Sequence, residues 1–148
     1  MKNIFTALTI TALAATLAQA NETTWSGSVK DVFEKKCSAC HGGEAPEYAA
    51  FKKDKDVWLS KGSGMRMETY SHLISFVGWP NTGALMRRLD DGKGAKDGKQ
   101  GNMYLHLGAS EEERQSNLTV FKAWVGNWSL KRFAEASKDD LGGIKVKY

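Results

Sequence analysis

The chain has 148 residues, with 21 lysines and arginines against 17 aspartates and glutamates, and a formal charge of +4. That length suits one domain with a single core. The mild charge, with acids interleaved among the lysines, excludes the dense basic stripe of a nucleic-acid binder. The lysines read instead as a solvated face able to meet an acidic partner.

The N-terminus opens with Lys2, followed by an uncharged run from Ile4 to Ala18 rich in Ala, Leu and Thr, and then Ala18-Gln19-Ala20. Small residues at the two positions a signal peptidase reads mark residues 1–20 as a signal peptide. The apolar run is short for a membrane span, which takes roughly 20 residues. No later stretch is apolar enough to cross a bilayer, so no stable membrane insertion is expected after cleavage. Lys2 is the only charge in the leader, and its loss takes the total from +4 to +3. The expected product is a periplasmic protein forming one domain over residues 21–148, with 128–148 as a C-terminal extension.

Ser28-Val29-Lys30-Asp31 fits a capping box. Val29, Val32 and Phe33 then share one face of a short helix that delivers "KKCSACHGG", residues 35–43. This segment holds both cysteines of the chain, Cys37 and Cys40, with His41 directly after the second. Four readings compete for them. A disulfide between thiols three positions apart staples almost nothing. A structural zinc site wants four ligands, and no second pair stands at ligand spacing. A disulfide oxidoreductase would carry C-x-x-C after a β-strand, whereas a helix precedes Cys37. The fourth reading uses every residue: in C-x-x-C-H each sulfur joins a vinyl group of one haem, and the adjacent imidazole lies under the iron. One covalent haem c is therefore expected, held through two thioethers.

Gly42, Gly43 and Pro46 form a turn after the motif. Residues 47–60 are a helical candidate carrying Tyr48, Phe51 and Trp58, broken by Lys61-Gly62-Ser63-Gly64. Tyr70, Leu73, Ile74 and Val77 then recur at helical spacing, with His72 on the opposite, surface face. "GWPNTG" ends that helix, and Asn81 or Thr82 can cap another through Leu85, Met86 and Leu89. Residues 91–101 form a polar loop with four glycines. Ser110 and Glu113 make a second capping box, opening a helix with Leu118, Phe121, Trp124, Val125 and Trp128 on one face. No segment alternates with strand period. The expected fold is all-α, its loops wrapped around the haem.

Opposite His41 the iron would meet a side chain, water or an external ligand. Met65, Met67, Met86, Met103, His72 and His106 are the side-chain candidates, and thioether sulfur is a soft ligand that raises the reduction potential. Met65 and Met67 flank Arg66 after the Gly-Ser-Gly turn, while Met86 falls in an expected helix where core or surface is the default. At "GNMYLHLGASEEERQSNLTVFKAWV" the chain resembles the class I c-type cytochromes. In that family a Gly-led turn supplies the methionine ligand, a short aromatic-apolar stretch with a Gly follows, and a helix with "E-E-R-x-x-L" and an aromatic closes the fold. Gly101-Asn102-Met103, Tyr104 to Gly108, Glu112-Glu113-Arg114, Asn117-Leu118 and Trp124 match in turn. Phe33 lies four residues before Cys37, as the family's helix-pairing aromatic does. The likeness covers residues 27–43 and 100–126 and is weak between them.

The resemblance implies a cytochrome c-like fold around one haem, with the N- and C-terminal helices crossing through Phe33 and Trp124. It also implies Cys37, Cys40, His41 and Met103 as haem-binding residues, with His41 and Met103 on the iron. Two protein ligands close the iron, so the expected function is one-electron transfer between redox proteins, not catalysis. Two other readings remain: a haem enzyme or gas sensor with an open or displaceable sixth position, and the cytochrome subunit of a larger periplasmic oxidoreductase.

Overall fold

The computed structural model describes residues 22–148, so the leader expected over residues 1–20 lies outside the described residues. The described residues are helical, without a strand, and one isolated antiparallel bridge joins Gly126 to Ile144. The helices are α1 Lys30–Lys36, α2 Ser38–His41, α3 Tyr48–Lys53, α4 Lys55–Ser60, α5 Tyr70–Ile74, α6 Ala84–Leu89, α7 Glu111–Val125 and α8 Lys138–Gly142. No helix among them is long and apolar enough to cross a membrane.

The N-terminal element starts earlier than its capping signal suggests. Thr24 is the cap, its Oγ1 accepting from the Gly27 N–H at 3.0 Å, and a π-helical turn over Trp25–Val29 runs straight into α1. Ser28 therefore lies inside the turn and caps nothing. The wider turn places Trp25 and Val29 together in the core with Val32 and Phe33. Trp25 also changes how the two ends meet. Its ring centroid lies 6.0 Å from that of Phe33 and 6.4 Å from that of Trp124, so Trp25 joins the two aromatics that the sequence pairs directly.

The helical candidate at 47–60 forms but splits at Asp54, whose φ of −125° and ψ of 43° leave the helical region. Thr69 caps α5, and Leu73 and Val77 are buried although the helix stops at Ile74. Neither Asn81 nor Thr82 caps α6. The cap is Gly83 at φ +71°, where a Cβ would stand 2.3 Å from the Lys131 carbonyl oxygen of the crossing C-terminal segment. Ser110 caps α7 as read, accepting from the Glu113 N–H, while the Glu113 carboxylate accepts from the Ala109 N–H at 2.7 Å and pairs with Lys36. Helix α7 buries Leu118, Phe121, Trp124 and Val125, and ends at Gly126 with φ +80°. Trp128 thus leaves the helix, and its Nε1 donates to Asp90 Oδ1 at 2.9 Å.

The polar loop after α6 has a buried root. Asp90 is 2% exposed and its Oδ2 accepts from the Gly92 N–H, while the neighbouring Asp91 is ringed by Gln115, Lys93 and Lys122. Burial pushes the Asp91 carboxyl up, but Gln115, Lys93 and Lys122 together outweigh it and hold the group below its ordinary value.

The last residues form a strap. The Lys145 and Val146 N–H groups donate to the Val125 and Trp124 carbonyls at 2.9 Å each. The Trp25 N–H and Trp124 Nε1 both donate to the Lys147 carbonyl, at 2.8 and 2.7 Å, and Tyr70 Oη donates to the Val146 carbonyl at 2.6 Å. Tyr148 stacks edge-on against Tyr70. The extension is thereby tied by backbone hydrogen bonds to the same aromatic cluster that joins the two ends.

Candidate haem site

Helix α1 delivers the motif. It ends at Cys37, whose N–H donates to the Phe33 carbonyl, and one further turn, α2, carries Ser38 to His41. Both thiols are free of disulfide, Cys37 half-buried and Cys40 exposed. Burial, reinforced by the neighbouring Cys40, pushes the Cys37 thiol up to about 11. A reactive redox pair needs the opposite, a thiol lowered toward neutrality by positive surroundings. The helix that precedes Cys37 also counts against the thioredoxin-like reading.

His41 is positioned by main chain. Its Nδ1 lies 2.7 Å from the Met65 carbonyl oxygen, so Nδ1 carries the proton and donates, leaving the Nε2 lone pair for another partner. A hydrogen bond from the far ring nitrogen is how a ligating histidine is oriented. The loop that supplies the carbonyl is bonded to the motif on both sides: the Gly64 N–H donates to the Cys40 carbonyl at 2.8 Å, and the Met67 N–H to the His41 carbonyl at 2.9 Å. Gly64 presses flat on the imidazole, and a Cβ there would meet His41 Cε1 at 2.3 Å. Arg66, between the two methionines, faces outward to Glu47 and Glu68.

Met103 begins a 3₁₀ turn, Tyr104–Leu107, and its N–H donates to the Arg88 carbonyl at 2.9 Å. Helix α7 holds this turn from behind. Tyr104 is fully buried, its Oη donates to Glu111 Oε1 at 2.6 Å and accepts from Gln115 Nε2 at 2.7 Å, and Asn117 Nδ2 donates to the Leu107 carbonyl at 2.6 Å. Cys37, Met65, Met67 and Met103 all pack, partly buried, against the same hydrophobic core. Met86 is 1% exposed within α6, a core position. His106 is exposed. His72 is half-buried rather than fully on the surface, its Nε2 3.4 Å from Glu47.

Two site residues have no side-chain signature in the sequence. Met65 acts through its carbonyl and Gly64 through its missing Cβ, and the only hint is the Gly-Ser-Gly turn itself. Free thiols at C-x-x-C, an imidazole whose Nδ1 is taken by main chain, and Gly64 close against its ring fit a covalently held haem. Among the described residues no group of three or more His, Cys, Asp or Glu side chains is placed to hold a bare metal ion.

A family model described as PccH cytochrome c matches residues 24–148. The chain belongs to the PccH cytochrome c family. It is a monohaem c-type cytochrome, and the family match runs through the whole C-terminal strap. A solved structure of the monoheme cytochrome PccH from Geobacter sulfurreducens is 58% identical, covers 86% of this chain and 99% of its own, and superposes with a TM-score of 0.80. No curated protein matches the chain. PccH family membership brings one haem c to this chain and agrees with the all-α fold.

Proposed function

We propose that this cytochrome is an exported, periplasmic one-electron carrier between redox proteins. In this reading Cys37 and Cys40 would hold the haem through two thioethers, and His41 and Met103 would bind its iron. The observation that carries it is the His41 ring, fixed by the Met65 carbonyl with Nε2 left to ligate. The haem, when bound, supplies a one-electron couple. The chain's own residues orient that couple and shield it. The Met65 carbonyl and Gly64 hold the imidazole in one tautomer and one plane. Tyr104, Gln115 and Asn117 hold the Met103 turn against α7, so that little rearranges when the oxidation state changes. The reading places no bond-breaking step at the site.

Carbon monoxide tests the closed iron. The reduced holoprotein is expected to keep its spectrum under carbon monoxide and the Met103→Ala protein to bind it. Ready binding by the wild type would replace the carrier with a sensor or enzyme. Haem that acid-acetone strips from the polypeptide would contradict the thioethers.

A further inference from the structure

Three arginines, Arg87, Arg88 and Arg132, converge on a cavity of about 480 Å³ whose other walls are Ala84, Gly101 and Asn102. Among the described residues none of the three takes part in an ion pair. Arg87 Nη1 donates only to main chain, the Thr82 carbonyl at 3.1 Å and the Leu130 carbonyl at 2.9 Å. Arg88 Nη1 donates to Asn102 Oδ1 at 2.8 Å. The carboxylate of Glu135 is near, but its Oε2 accepts from the Arg132 backbone N–H at 2.9 Å. A guanidinium has five N–H donors, so most of this donor capacity is unspent. Burial, then the charge of Arg132, disfavours the charged form of Arg87, with Glu135 opposing and Arg88 adding to the effect. Arg88 and Arg132 are exposed and Arg87 is half-buried, so solvent screens part of their mutual repulsion and a negative group between the three would relieve the rest.

We propose that this cavity is a binding site for a small polyvalent oxyanion, a phosphate or a di- or tricarboxylate. Guanidinium forks match the paired oxygens of these groups bidentately, and the cavity, half open to solvent and mostly polar in its lining, suits a small hydrated anion. The site also touches the redox centre through main chain. Gly101 lies so close to the end of α6 that a Cβ would meet the Arg88 and Arg87 carbonyl oxygens at 2.3 and 2.4 Å. The same Arg88 carbonyl accepts the Met103 N–H. One short segment therefore carries two of the arginines and anchors the Met103 turn. Resting on Met103 as ligand, the oxidised protein, with one more positive charge, binds the anion more tightly, and by reciprocity the anion lowers the reduction potential.

Calorimetric titration of the oxidised holoprotein with inorganic phosphate, and separately with citrate, at ionic strength held constant with sodium chloride, tests the site. Saturable binding by either probe is expected, weakened at least tenfold in Arg88→Gln and in Arg132→Gln with circular dichroism and the main haem band unchanged. Heats that never saturate, or affinities equal in wild type and both variants, overturn the site. If the oxidised form binds tenfold more tightly, saturating anion lowers the midpoint by about 59 mV. A midpoint that does not move at saturation overturns the link to the redox centre. Methionine ligation is read separately from the far-red ferric band, so loss of that assignment and loss of the anion site are distinct results.

Discussion

The rings of Trp124 and His41 are held in opposite ways. Trp124 is fully buried among Trp25 and Tyr70, and its one polar atom is taken by the Lys147 carbonyl. His41 stands half-buried on a one-turn helix that buries none of its four residues. What fixes it is backbone: the Met65 carbonyl on Nδ1, the face of Gly64, and two main-chain hydrogen bonds between the loop and the motif. Side-chain volume thus secures the junction of the two chain ends, and main-chain geometry secures the His41 ring. Core truncations and backbone substitutions should separate stability from the haem environment.

The largest effect is expected at the packed end. Trp124→Ala removes a fully buried indole and one of the two hydrogen bonds to the Lys147 carbonyl, and denaturant unfolding should show a loss of about 3–5 kcal/mol. Gly64→Ala probes the other end. Its new methyl cannot coexist with His41 Cε1, so overpacking should cost about 1–3 kcal/mol and the reduction potential should move. Wild-type potential in Gly64→Ala would show that the loop yields and does not position the ring. Tyr70→Phe deletes the hydrogen bond to the Val146 carbonyl and should cost about 1 kcal/mol, with the potential unchanged.

The smallest effect is acid sensitivity of the contact between α1 and α7. The Lys36 ammonium, helped by the Ala109 N–H, holds the Glu113 carboxyl below its ordinary value of 4.5. A carboxyl depressed in the folded state stabilises fully above its unfolded value and loses that contribution as pH falls through the folded one. Wild-type stability should therefore decline as pH steps below 4.5, and Glu113→Gln should flatten part of that decline. Only part is expected, because the Glu111 carboxyl, held down by Tyr104 and Gln115, carries the same sign.

The sequence was most legible where a side chain does the work at fixed spacing. Cys37, Cys40 and His41 announce themselves by order alone, and the apolar face of α7 follows from Leu118, Phe121 and Trp124 at helical intervals after Ser110. Trp25 escapes a sequence reading that starts the helix at the Ser28 capping box, because the packed turn begins earlier, at Thr24. Asp91 reads as loop surface, since an acid next to glycine carries no mark of the glutamine and lysines that ring it; nor does the sequence mark Asp90 as the acceptor for Trp128. Trp128 keeps helical phase with Trp124, and only the left-handed Gly126 takes it off the helix. The Met65 carbonyl could not be read at all, because every residue has one.

The proposal that His41 and Met103 bind the iron is tested most directly by methionine methyl resonances. In the reduced holoprotein with labelled methionine methyls, the methyl of a methionine whose sulfur binds the iron would be shifted far upfield of the others by the porphyrin ring current. One such resonance is expected, absent in Met103→Ala and retained when Met65, Met67 or Met86 is replaced. An upfield methyl that survives in Met103→Ala, or a wild type without one, would contradict the assignment.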